Sequence, residues 1–306
     1  MPYPSPITYP SGLLFPGSDV GGGFDGAPVA LGAEILLNSI DADGVLWLIH
    51  QDGFDGWGSP GSTAELTQRA RGHGSTSSEG FYRSRVMSIS GVFDAPTPEL
   101  ALAAADKLSA AVSLTEFTLS VLQAGTIRSC TVQRQDDVII KWVDALAANF
   151  SIQIVAKDPR KYGDLTTVTT RLPFSEGGAE WPITLPLTFT GVSGTGKVTI
   201  NNPGNTQAPV WLRVDGPIPA GGWTVTHVGK KQALTFATAL ALTAGEFVTV
   251  DMDRREVLAQ GQAPRSGYVT SRGWFSLDPG DNEIAFSAQN YSSTASLTVS
   301  TKPAWS

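Results

Sequence analysis

Short runs rich in Val, Ile, Thr and Phe, cut by glycine and proline, predict a mainly β protein of two domains with a single helix. Three observations carry this. The chain has 306 residues, enough for two ordinary domains that each bury a core. Its 33 glycines and 20 prolines are spread along most of the length and fall between the apolar runs, as turns do. Only one segment shows an amphipathic helical period; elsewhere the alternation is that of strands. We place the first domain at 1–176 and the second at 177–306.

The opening stretch to about Gly32 is dominated by proline and glycine, with Gly21, Gly22 and Gly23 in succession, and reads as an extended arm or long loop. Short strands are expected at 34–38 and 46–49, joined by DADG at 41–44, where Gly44 suits a positive φ. Between 54 and 80 the apolar period fails. That segment reads as a long loop or arm with room for a hairpin, and loops of this length usually have a function. A strand pattern resumes at 82–93. The helix is expected over about 98–112: Thr97 caps it, Pro98 suits the first turn and Glu99 faces the positive end of the dipole. Leu100, Ala104, Leu108 and Ala111 share one face, small enough for a sheet to approach closely. Strands follow at 115–122, 127–133, 138–142 and 150–157. Residues 138–148 are ambiguous, because IIKWVDALAA also fits a short helix. Phe150, Ile152, Ile154 and Ala156 alternate with polar or exposed positions, and Asp158-Pro159 closes the run.

The second half has a plainer rhythm. After a boundary near 175–180 come TLPLTFTG, GKVTINNPGN, APVWLRVDG, GWTVTHVG, QALTFATALAL, EFVTVDMDRREV, RGWFSLDPGDNEIAFS and TASLTVST. About eight strand candidates with turns between them and no helix predict a jelly-roll or similar sandwich. Of Trp211, Trp223 and Trp274, at least two are expected in its core.

Composition excludes several function classes. The formal net charge is -7, from 21 basic and 28 acidic side chains, which argues against a surface that tracks nucleic-acid phosphates. It leaves room for a wide pore through which DNA passes, where mild repulsion would prevent sticking. Charged residues are only 16% of the chain, well below the usual quarter, so part of the surface is expected to be covered by other chains. The single cysteine, Cys130, cannot form an intramolecular disulfide. The start shows no signal peptide, and no apolar run reaches the ~20 residues of a membrane helix, so a soluble, cytoplasmically made protein is expected.

Residues for catalysis are not assembled in the sequence. His50, His73 and His227 make no H-E-x-x-H or short pair, so no metal site is expected. No G-x-S-x-G elbow is present, and Ser193 to Lys197 lacks the phosphate-loop spacing and reads as a turn. Asp251, Asp253 and Glu256 fail the EF-hand spacing and are balanced by Arg254 and Arg255. We expect no enzyme and no cofactor. The residues that do stand out belong to interfaces. Trp57 in the glycine-rich loop and Trp305 near the end of the sequence are aromatics in need of a partner, and His73 is flanked by glycines.

The order of landmarks in the second half resembles that of distal tail proteins of phages with long, non-contractile tails. Asn202-Pro203-Gly204-Asn205 with Ala208-Pro209-Val210 is similar to the family's NPGN…P segment. Trp274, Leu277, Pro279, Gly280 and Asn282 resemble its W-x-x-L-x-P-G-x-N element. Asp158-Pro159 and the glycine- and arginine-containing segment 69–80, with Arg71-Gly72-His73-Gly74, are similar to features before the second domain. The resemblance covers almost the whole chain, most closely from about Trp181 onward.

The resemblance implies a tail-tube-like β domain with one flanking helix, followed by a galectin-like β-sandwich. It implies a structural virion protein at the phage tail tip, assembled in the host cytoplasm. Six copies would form a ring joining the tail tube protein to the tail-tip or baseplate hub, with the tape measure protein as a further partner. DNA would pass through the lumen without specific contact, and no membrane is involved. The candidate interface residues are Trp57, Arg69, Arg71, His73, Tyr82 and Trp305. The alternative is a carbohydrate-binding adhesin module of the tail, suggested by Trp and Tyr side chains on a sandwich.

Overall fold

The structure is a computed structural model that describes residues 7–8, 14–15, 27–123, 125–176 and 192–306. Most of the proline-rich arm and the expected TLPLTFTG strand lie outside the described residues. Two compact units divide between Gly163 and Asp164 rather than at 176/177. The shift follows from strand Thr166–Arg171, which pairs along its whole length with Ser296–Thr301 and so belongs to the second unit.

The first unit is one long antiparallel sheet with a helix on it. Its strands are β1 (Val29–Leu31), β2 (Ile35–Leu37), β3 (Leu46–Asp55), β4 (Arg85–Asp94), β5 (Phe117–Gln123), β6 (Thr126–Arg134), β7 (Ile139–Trp142) and β8 (Ala147–Ala156). The order is β2-β1-β5-β6-β8-β4-β3, ending on the short strand Ser39–Ile40, and β7 also pairs β8. The two ends of that path are Ile35–Leu37 and Ser39–Ile40, which are adjacent in sequence. Asn38 alone separates them, in the left-handed region at φ 58°. Its side chain accepts from Ile49 N and donates to Ala27 O, satisfying backbone groups on both sides of the seam.

Sequence and structure differ here at two places. Val29–Leu31 is a fully buried strand although the arm was expected to run to Gly32, because it pairs with Val121 to Leu119 inside the sheet. β3 continues to Asp55, past the expected end at 49. Residues 139–142 form the expected strand, and the helical alternative falls away because a turn at Asp144 lets β7 fold back on β8; the Asp144 carboxylate accepts from Leu146 N and Ala147 N.

The helix α1 (Pro98–Ala111) begins where expected, with Thr97 Oγ1 accepting from Leu100 N. Ala101, Ala104, Ala105, Leu108 and Ala111 are its buried residues, so mostly methyl groups face the sheet. They meet a core that includes Trp47, Met87, Ile89, Phe93, Phe150, Ile152 and Ile154. In the 41–44 turn Gly44 takes φ 82°, and the Asp41 carboxylate ties that turn to the helix by accepting from Val45 N, Trp47 Nε1 and Lys107 Nζ.

Beside the two-stranded pair Phe174–Glu176 and Val192–Gly194, the second unit carries two larger antiparallel sheets. Strands β9 (Thr166–Arg171), β10 (Lys197–Asn202), β11 (Val210–Asp215), β12 (Trp223–His227), β13 (Gln232–Phe236), β14 (Phe247–Asp251), β15 (Glu256–Ala259), β16 (Val269–Arg272), β17 (Gly280–Ala288) and β18 (Ser296–Thr301) build them. One sheet runs β9-β18-β11-β14-β15 and ends on Ala263–Pro264; the other runs β10-β17-β12-β13-β16. Alternate residues along β11, β12, β14 and β18 are buried, the pattern of sheets with one face inward. Of the three tryptophans proposed for this core, only Trp223 is in it, stacked on Phe236; Trp211 and Trp274 are half-buried, because their positions fall outside the inward alternation.

Candidate functional site

The segment 54–80, expected as a loop or arm, is a hairpin standing on a buried root. Ser62–Thr63 pairs with Phe81–Tyr82, and Leu66–Gln68 pairs with Ser75–Ser77. Arg69 N donates to Gly74 O and closes the tip, where Gly74 takes φ 91°. Every residue from 61 to 84 is exposed. Leu66 is 70% exposed, Phe81 63% and Tyr82 50%, so this hairpin has strand pairing but no apolar core of its own. A two-stranded hairpin alone is marginal in water, and apolar side chains on it ask for another surface.

Arg69, Arg71 and His73 come together at this tip, and Tyr82 lies on the stem. Trp57 departs from expectation. It is 2% exposed and belongs to the first unit's own core, with Nε1 donating to Gln123 Oε1 at 3.0 Å and its ring 5.8 Å from that of Phe54. It anchors the arm from within and presents nothing to a neighbour. Trp305 is half-buried in the short strand Ala304–Trp305 of the second unit.

What fixes the root was not visible in the sequence. Arg85, the first residue of β4, is 1% exposed, and Lys161 is 5% exposed. Arg85 donates from Nε and Nη2 to Pro159 O at 3.0 and 2.8 Å. Its Nη1 donates to the carbonyls of Gly56 (3.2 Å), Trp57 (2.9 Å) and Gly58. Lys161 Nζ reaches the same Trp57 and Gly58 carbonyls at 3.0 and 3.3 Å, and lies 5.3 Å from the centre of a Trp57 ring. Two cations thus gather successive carbonyls where the chain leaves β3 for the arm. Such buried backbone groups must be paired, and a bend this sharp leaves no strand partner. Burial, then the neighbouring Arg85 and Arg128 charges, depress the Lys161 ammonium to about 8. Burial also raises the Cys130 thiol to about 12, so that thiol is not a nucleophile.

The motif residues of the second unit serve its own backbone. Asn202 is fully buried; its Nδ2 donates to Thr206 O and Leu277 O, and its Oδ1 accepts from Gly204 N and Ala304 N. A Cβ on Gly204 would lie 1.8 Å from Ala304 O, so only glycine fits there. Asn282 closes the Asp278-to-Gly280 turn through Asp278 O, Gly280 O and Asp278 N, and its Oδ1 lies 3.0 Å from His227 Nε2. His227 is a buried strand histidine with Phe275 edge-on to it. Of the three carboxylates that fail the EF-hand spacing, Asp251 is spent locally: it accepts from Trp211 Nε1 and Arg254 N.

With that geometry in place, the relatives are informative. Residues 203–305 match the family model described as the siphovirus-type tail component, C-terminal domain. No curated protein matches the sequence. Among solved structures, the SPP1 Dit (gp 19.1) protein, described as a paradigm of the hub adsorption apparatus in phages infecting Gram-positive bacteria, is similar at a TM-score of 0.60. It is 11% identical and is covered over 92% of its chain by 83% of this one, so the two share a fold. A chain of the phage p2 baseplate in its activated conformation with Sr is 10% identical, at a TM-score of 0.49 over 90% of this chain and 97% of that one.

Proposed function

We propose that this chain, a Dit-like structural component of a siphovirus tail tip, is the distal tail protein whose copies close into a ring between the tail tube and the baseplate hub. The observation that carries the reading is the exposed hairpin of the first unit, on a chain whose second unit is a siphovirus tail-component domain. Leu66, Phe81 and Tyr82 gain burial only against another chain. A hairpin that docks on the next copy's first domain is a head-to-tail contact, and such contacts close into a ring when the rotation allows it. Six copies match the tail symmetry that the family resemblance implies. Arg69, Arg71 and His73 at the tip meet the neighbour or the adjoining tube protein, and Trp305 lies at a second contact. The first domain then follows a tail-tube-like plan and the second a galectin-like jelly roll.

A lumen that passes DNA needs walls that do not bind phosphate. The outward positions of β4 and β8 support this: Ser88 faces Gln153 and Ser90 faces Ser151 in register, and no outward position of these two strands carries a lysine or arginine. Hub and tube proteins contact opposite faces of the ring, and the tape measure protein passes through it during assembly.

The test is solution mass by light scattering, with negative-stain imaging of the purified chain alone and with its tube and hub proteins. A six-fold ring with an open centre is expected. A chain that stays monomeric at high concentration and binds neither protein would overturn the assignment.

A further inference from the structure

The outward face of the six-stranded sheet in the second unit holds a depression of about 240 Å³ that the ring role leaves unused. Its lining is mainly apolar and includes Trp211, Thr249 and Leu258 together with Arg213, Asp251 and Glu256. These side chains are brought together by register. Trp211 pairs with Asp251 and Asp251 with Glu256, so the three form a row across β11, β14 and β15 on one face; Arg213, Thr249 and Leu258 form the row beside it.

Two features make this more than an incidental hollow. The indole is held in place: Trp211 Nε1 donates to Asp251 Oδ2 at 3.0 Å, and Asp251 Oδ1 is in turn fixed by Arg254 N at 2.9 Å. The Arg213 fork is likewise held by Asp215, with its guanidinium 3.9 Å from the Phe247 ring centre. Glu256 is different. Its carboxylate is exposed and takes no hydrogen bond or ion pair among the described residues, so its oxygens are available.

We propose that this depression binds a single uncharged hexopyranose unit of a surface polysaccharide. The C–H face of the sugar lies on Trp211 and Leu258, and its hydroxyls donate to Glu256 and Asp251. A fixed aromatic platform ringed by a few polar groups is how small polar ligands with one apolar face are oriented. The volume is below the ~300–1,000 Å³ of drug-sized cavities, so it fits one ring rather than an extended chain. Two carboxylates at the rim disfavour an anionic sugar. An extended peptide is disfavoured too, because every strand here is already paired on both sides or lies away from the depression, so no backbone edge is offered to it. The site does not depend on ring formation, and its loss would leave the structural role intact.

The experiment is saturation-transfer NMR on the full-length chain with the methyl glycosides of glucose, galactose, N-acetylglucosamine and rhamnose at millimolar concentration, and with methylammonium as a cationic probe. Saturation of the ring protons of at least one glycoside is expected. That signal should vanish in Trp211→Leu and weaken about tenfold in Glu256→Gln, a change at an exposed side chain that leaves folding untouched. The proposal is overturned if no glycoside is saturated, if the signal survives Glu256→Gln undiminished, or if methylammonium displaces the sugar.

Discussion

Replacing Arg85 with methionine tests how the arm is held. The side chain keeps its length and apolar stem but loses the guanidinium, which donates to the carbonyls of Pro159, Gly56, Trp57 and Gly58. Lys161 still reaches Trp57 and Gly58, so Pro159 and Gly56 lose their donor. A buried carbonyl left unpaired costs about 1–3 kcal/mol. Two of them give about 2–6 kcal/mol, reduced by relief of the buried cation, so a net loss of about 3 kcal/mol in the first unit is expected. The two units need not unfold together, so a single melting curve is a poor readout. Hydrogen exchange resolved by peptide is the assay. Exchange should rise over 46–58 and over the arm, and stay unchanged over Val210–Asp215 in the second unit. Ring formation should weaken in parallel, because a hairpin on a loose root pays more entropy to dock. If Arg85→Met exchanged like the parent across 46–58 and assembled normally, the carbonyl clamp would be irrelevant to the arm.

Lys161 predicts a pH dependence. Its folded pKa, about 8, lies below its ordinary value of 10.5, so the unfolded chain binds the extra proton between those limits and stability rises with pH across that window. The gain is at most about 3 kcal/mol, and Lys161→Met should flatten the first unit's stability between pH 8 and 10.5 in urea titrations. Gly204→Ala places a methyl against the Ala304 carbonyl and should destabilise the second unit by more than about 4 kcal/mol, read as lost exchange protection over Ser296–Thr301. Changing Leu66 and Phe81 to serine on the arm should leave each chain's stability within about 0.5 kcal/mol, because both are exposed, yet lower the mass measured at a given concentration. An unchanged mass would remove the arm from the interface.

Local grammar gave much of the architecture. The capped helix, the strand periods of β8, β11 and β12 and the turn at Gly44 are dictated by residues near one another in the chain, where 3.6- and 2-residue periods read burial directly. The NPGN and W-x-x-L-x-P-G-x-N segments were legible as landmarks, and the structure supplies their reason: Asn202 and Asn282 satisfy backbone groups that the turns leave bare.

Where spacing in the chain says nothing, the sequence could not reach. Trp57 lies among glycines and reads as exposed, yet Gln123, distant in the chain, receives its indole proton and the core receives its ring. The pairing of Arg85 with Lys161 and the row from Trp211 to Glu256 exist only once strands far apart in sequence are placed in register. By itself the sequence determined most of the strand segments and that a glycine-rich excursion breaks the first domain. Only tertiary structure decided that the excursion is a hairpin with a buried root and no core, because burial is a property of what a side chain meets across the fold.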